Sequence, residues 1–186
     1  MILKNQKNAY SLIEVLVAVA LLMFAIVGPM TIAVKSSQSA QYARQQNTAF
    51  FLAQEGISLV NTIRNDSALA KTVGSATDAW AWTTNSALAP CFASYGCNID
   101  FSGATLFSNV TSCLNTNNCT LLFNESAGRV VYQTTSGVPS PYRRVIIFQT
   151  ATADEVIVTS RVEWDTKLLG GTQTVTLSTS LFNIFK

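Results

Sequence analysis

Apolar residues run without a polar face near the start of the chain. Residues 12–34 read LIEVLVAVALLMFAIVGPMTIAV, 23 positions carrying one charge, Glu14. At ~1.5 Å per residue a helix of that length measures about 34 Å, enough to cross a hydrocarbon core of ~30 Å. The pattern then changes. Phe50, Ala53, Ile57, Val60 and Ile63 recur at three-to-four spacing, which predicts a helix with one buried stripe on an otherwise polar surface. Residues 31–65 contain no proline and one glycine, Gly56, so the two patterns are predicted as one helix from about Tyr10 to Asn65, ~80 Å long. Gly28 and Pro29 mark the expected helix break, a bend or loosened turn within it, because proline lacks a backbone donor and clashes with the preceding turn.

Residues 67–142 are rich in Ser, Thr, Asn, Ala and Gly, with short apolar bursts at 121–123 and 129–132. That composition predicts a loop-rich region with a few short strands. Residues 143–149 (RRVIIFQ), 156–164 (VIVTSRVEW) and 172–181 (TQTVTLSTSL) are β-branched runs with partial alternation, the last two separated by a segment ending Gly170-Gly171. They predict an antiparallel meander. One sheet face is expected to bury Val145, Ile147, Val156, Val158, Val162 and Trp164 against the helix stripe. The expected fold class is α+β, a long N-terminal helix packed on a C-terminal antiparallel sheet. Five segments follow: 1–9, 10–34, 35–66, 67–142 and 143–186.

Composition sharpens the first pattern. Hydrophobic residues make up 48% and charged residues 12%, about half the usual charged share of a soluble domain. Mean hydropathy is +0.28, so apolar surface is expected to face lipid or other subunits. Lys4 and Lys7 precede the apolar run without an acid, which favours a cytoplasmic N-terminus. Gly28-Pro29 interrupts the run and no convincing Ala-x-Ala cleavage site follows it, so the segment is expected to be retained.

Candidate chemistry is sparse. The chain has no histidine, which removes Ser-His-Asp and Cys-His catalysis and HExxH zinc chemistry. Net charge is +2 with no long basic run, which does not point to a dedicated nucleic-acid binder. The close acid pairs Asp154/Glu155 and Glu163/Asp165 lack a calcium-loop pattern and read as solvated charge. Trp80, Trp82, Phe92 and Tyr95 read as core aromatics before a stacking surface, and Arg143-Arg144 as a strand-edge pair before a DNA contact. No catalytic residue, metal site or cofactor site is expected. The four cysteines form two C-x5-C pairs, Cys91/Cys97 and Cys113/Cys119, and disulfides are their natural reading in an exported chain. Two local loops close most easily; a nested arrangement, Cys91 with Cys119 and Cys97 with Cys113, would suit a hairpin.

The stretch Ala9-Tyr10-Ser11-Leu12-Ile13-Glu14-Val15-Leu16-Val17-Ala18 resembles the processing and methylation site of type IV pilins and type II secretion pseudopilins. The resemblance implies that a basic leader, residues 1–9, is removed between Ala9 and Tyr10 by a prepilin peptidase on the cytoplasmic side. It implies N-methylation of Tyr10 and a role for Glu14, the fifth mature position, in docking onto neighbouring subunits. This chain departs from the common Gly-Phe-Thr form, having Ala9, Tyr10 and Ser11 instead. The pilin architecture it implies is the same α+β arrangement, although the motif covers only the first twenty or so residues. Residues 53–57 (AQEGI) and 63–66 (IRND) are similar to the helix end of some bacterial minor pilins.

The expected function is structural, not enzymatic: a type IV pilin, more a minor subunit than the main building block. Its implied partners are the prepilin peptidase, other pilin subunits through the N-terminal helix, and the bacterial inner membrane before assembly. The head is then extracellular, for adhesion, motility or DNA uptake, with its surface ligand unread. A pseudopilin of a type II secretion system, periplasmic after assembly, is built the same way. The third reading is a membrane-anchored extracellular binding module that never polymerises.

Overall fold

The computed structural model describes residues 11–100, 110–115, 119–126, 129–133, 136–166 and 170–184. Residues 1–10, and with them the leader, Ala9 and Tyr10, lie outside the described residues, as do residues 167–169. Two compact units are present, Met1–Ala43 and Arg44–Lys186, and their boundary falls inside the glutamine-rich polar stretch 38–46.

One helix, α1 (Leu12–Thr72), runs through both units. It passes Gly28 and Pro29 as one continuous element, so proline does not end the helix there. Pro29 has no N–H to return to the Ala25 carbonyl, but a single lost bond does not outweigh regular turns on both sides. The Thr31 hydroxyl donates to the Gly28 carbonyl at 2.8 Å, giving that turn a side-chain bond. The helix also ends seven residues later than expected. Ala68, Ala70 and Lys71 favour helix, and the stop comes at Gly74, with φ of 76°. Ser75 N donates to Ala70 O and Gly74 N to Lys71 O, the paired bonds of a glycine-terminated helix.

In the second unit, α1 is followed by two 3-10 turns (Ala81–Thr84 and Ser86–Leu88) and a short helix, α2 (Ala89–Phe92). The strands are β1 (Cys97–Ile99), β2 (Val110–Ser112), β3 (Thr120–Ser126), β4 (Arg129–Gln133), β5 (Val138–Thr152), β6 (Glu155–Thr166) and β7 (Gly171–Phe182). Every pairing is antiparallel. β5 pairs with β6, β3 and β1, and β7 continues the sheet beyond β6. The α+β arrangement, a long helix on a C-terminal antiparallel sheet, is therefore the fold.

The buried helix stripe is Ala49, Leu52, Ala53, Gly56, Leu59, Val60 and Ile63. It is rotated from the expected one, because Phe50 is exposed and Ile57 half-buried. Strand β6 alternates as expected, with Val156, Val158, Val162 and Trp164 buried. Strand β5 needs a correction. Ile146 and Phe148 join the core with Leu59, Val60 and Ile63, whereas Val145 packs with Cys113 and Cys119, and half-buried Ile147 packs beside them. With apolar residues at four successive β5 positions, alternation alone does not say which pair faces the helix.

Small size at Gly56 lets helix and sheet meet. A Cβ there would lie 2.5 Å from Ser160 Oγ and 3.2 Å from Arg144 Cδ. Alanine gains about 1 kcal/mol of helix propensity over glycine, and overpacking a tight contact costs ~1–3 kcal/mol. Gly56→Ala is therefore expected to lower the thermal midpoint of the second unit, read by tryptophan fluorescence. A raised midpoint would contradict the close approach.

Candidate functional site

The first unit presents an apolar surface with nothing packed against it. Leu12 is 77% exposed, Phe24 78% and Ile32 70%, and Leu16, Leu21, Met23 and Val27 are exposed between them. With Val15, Val19, Leu22 and Ile26, which are exposed as well, these positions point around the full circumference of a helix, so the surface is not one face awaiting a core. Among the described residues α1 is the one helix long and apolar enough to cross a membrane. Its most apolar window has a mean hydropathy of 2.6, with none of it buried. A surface of this extent in water is strongly unfavourable, and lipid or apolar helices of other chains are the environments that remove it. Glu14 sits in the first turn of this helix, exposed, its N–H donating to the Ser11 carbonyl at 2.9 Å. A carboxylate there is favoured by the helix dipole.

The second unit is organised around Arg144, whose side chain is fully buried. Its Nε donates to Asn98 Oδ1 at 2.8 Å, and Nη2 to the Ile99 carbonyl at 2.8 Å. Its Nη1 donates to Glu55 Oε2 at 2.9 Å and to the Leu52 carbonyl at 3.2 Å. One guanidinium thus ties α1, β1 and β5 together. Burial pushes the Arg144 guanidinium below its ordinary range, while the charges of Glu55 and Asp100 and the Glu55 hydrogen bond pull the other way. Arginine stays charged through such opposition, because its pKa starts so high. The expected strand-edge role for Arg143-Arg144 is corrected: β5 is an interior strand, and alternation turns Arg144 inward. Arg143 points the other way and bonds Glu163 at 3.1 Å.

The remaining candidates fall into structural roles. Trp82 is buried and Trp80 nearly so, their rings meeting edge-on at 5.2 Å, and Trp82 and Phe92 both stack edge-on against Phe148. Glu163, read as solvated charge, is instead held between Arg143 and Arg161, and Asp165 accepts from the Thr172 hydroxyl at 2.7 Å. Disulfides join Cys91 to Cys97 and Cys113 to Cys119, the two local pairs. The first lies in the core with Ile99 and Leu88, and the second covers Val145 on the opposite side of β5. Among the described residues no three His, Cys, Asp or Glu side chains come together to hold a metal ion.

Two tyrosines give the second unit an alkaline limit. Burial raises the Tyr132 and Tyr142 hydroxyls above their ordinary value of 10.0, with a Thr48 hydrogen bond partly opposing the rise at Tyr142. Tyr142 Oη also donates to the Gln45 carbonyl at 3.4 Å. The folded state therefore favours the protonated phenol. Its contribution is complete below about pH 10, the unfolded value, and is lost as pH rises through the higher folded value. The denaturation midpoint is expected to fall above about pH 10, and less steeply in Tyr142→Phe.

Comparison of the chain with protein-family models, with curated proteins and with solved structures finds no match.

Proposed function

We propose that the chain is a subunit of a type IV pilus, a minor pilin, that polymerises through residues 10–34. The observation that carries this reading is the fully exposed apolar stretch of α1 with a single acid, Glu14, in its first turn. An anchor needs apolar length alone. A carboxylate at that place adds cost in lipid, ~2.5–3.5 kcal/mol at the bilayer centre and less toward the headgroups, so a partner for it elsewhere explains its presence.

The subunit first rests in the bacterial inner membrane with Lys4 and Lys7 on the cytoplasmic side. Prepilin peptidase cuts between Ala9 and Tyr10, and the new amino group of Tyr10 is methylated. Loss of the leader removes two lysines and leaves ten basic and ten acidic side chains. The apolar helix then leaves lipid for a bundle of equally apolar helices, so much of the transfer cost is offset. In that bundle Glu14 meets the amino terminus of an adjacent subunit and fixes the register, since either charge alone would be buried unpaired. The disulfide-bearing head stays outside the cell and supplies adhesion, motility or DNA uptake.

Intact mass and N-terminal peptide mapping test the reading, on protein purified from cells that express its own assembly machinery. The expected product begins at Tyr10 with a methylated amino group. A chain retaining residues 1–9 in cells with an active peptidase would overturn the proposal.

A further inference from the structure

Sheet edges are ordinarily protected against pairing with other chains by shortness, charge, proline or a bulge. Strand β7 lacks all four. It is 12 residues long, Gly171–Phe182, and contains no Asp, Glu, Lys, Arg or Pro. It pairs with β6 in unbroken register from Glu155↔Phe182 to Thr166↔Gly171, whereas the β5–β6 ladder shifts at Thr150/Thr152. Among the described residues no strand pairs with its other side. At ~3.4 Å per residue this edge is about 40 Å long. The strands at the far side of the sheet, β2 and β4, have three and five residues.

The chemistry of β7 also alternates cleanly. Thr174, Thr176, Ser178 and Ser180 are exposed on one side, and Val175 and Leu177 are half-buried on the other. We propose that β7 pairs antiparallel with β7 of a second copy, extending one sheet across two heads. With the two-fold axis at Thr176, that residue faces its own copy, Thr174 faces Ser178, and Val175 faces Leu177. Hydroxyls meet hydroxyls and aliphatic groups meet aliphatic groups, which are favourable cross-strand pairs. No charge opposes a like charge, which makes a second copy the fitting occupant.

The pairing stands independently of the filament reading and has a consequence for it. A two-fold contact is isologous, whereas a helical filament is built from heterologous contacts. Paired β7 edges would therefore join copies belonging to different filaments, side by side.

The test uses the full chain in excess lipid nanodiscs, one copy per disc, so that α1 cannot drive association. Wild-type discs are expected to pair through their heads in sedimentation measurements. Thr176→Glu and Thr176→Lys should each weaken pairing about tenfold or more through like-charge opposition at the axis, and mixing the two variants should restore it. Thr176 faces Arg161 within the chain, so glutamate is accommodated by the fold. Three results would overturn the proposal: wild-type discs that stay single at about 100 μM, which corresponds to ~5 kcal/mol of association; Thr176→Glu discs that pair like wild type; or a mixture that fails to recover pairing.

Discussion

Replacing Arg144 with methionine is expected to cost the head about 3–5 kcal/mol, the range for removing one partner of a buried, hydrogen-bonded charge. Methionine fills much of the space of the arginine stem, so the loss is chiefly polar. The carbonyls of Leu52 and Ile99 and the Asn98 side-chain oxygen each lose a donor among buried residues. Asp100, itself buried, loses a cation that its charge acts on. Glu55 differs, because its side chain is 40% exposed and water can solvate it. Glu55→Gln keeps an acceptor for Nη1 but removes the main counter-charge of the buried guanidinium, leaving that of Asp100, so it should cost about 1–3 kcal/mol, less than Arg144→Met. Denaturant unfolding of the purified full chain, with disulfides intact and tryptophan fluorescence as the probe, measures both. Trp80, Trp82 and Trp164 all lie buried in the second unit, so the signal reports the head alone. An Arg144→Met variant within 1 kcal/mol of wild type would mean that the guanidinium is not what fastens helix to sheet.

Arg144 also shows where reading the sequence stops. The long helix, the C-terminal meander and the α+β arrangement are all legible, because each rests on a period that repeats over many residues. Which face of β5 meets the helix is not legible. Residues 145–148 are all apolar, and the strand is buried on both sides between the α1 stripe and the Cys113–Cys119 disulfide. A signal existed in the polar residues. Arg144 shares its parity with Ile146 and Phe148, and Glu55 sits beside Gly56 on a stretch of helix that is otherwise small or apolar toward the sheet. An acid on the helix and a base on the strand, each placed among core positions, are a pair that burial would bring together. Read with Arg143 alone, Arg144 resembled a strand-edge charge. The short elements in 81–99 are harder still, since a few residues of 3-10 helix or strand carry no period. Tryptophan packing and the Cys91–Cys97 closure hold that region in place.

Glu14→Ala is expected to leave membrane insertion intact and to reduce incorporation into filaments by at least about tenfold, since removing one partner of a buried pair costs several kcal/mol. The two halves of this expectation have opposite physical causes. In lipid the carboxylate is a cost, so alanine should insert as well as glutamate or better. In the proposed bundle the carboxylate would be the counter-charge of a neighbour's amino terminus, and alanine would leave that ammonium buried without a partner. A general weakening of the helix does not explain such a split. Glu14 favours the helix dipole by only about 0.3–1 kcal/mol, and alanine, the best helix former, returns part of that. Glu14→Gln separates charge from hydrogen bonding: it keeps an acceptor at the same distance and should assemble nearly as poorly if charge pairing sets the register. The measurement is the ratio of subunit in sheared filaments to subunit in the membrane fraction, by immunoblot, for wild type and both variants. Unchanged ratios would reduce Glu14 to an interfacial charge and leave α1 an anchor.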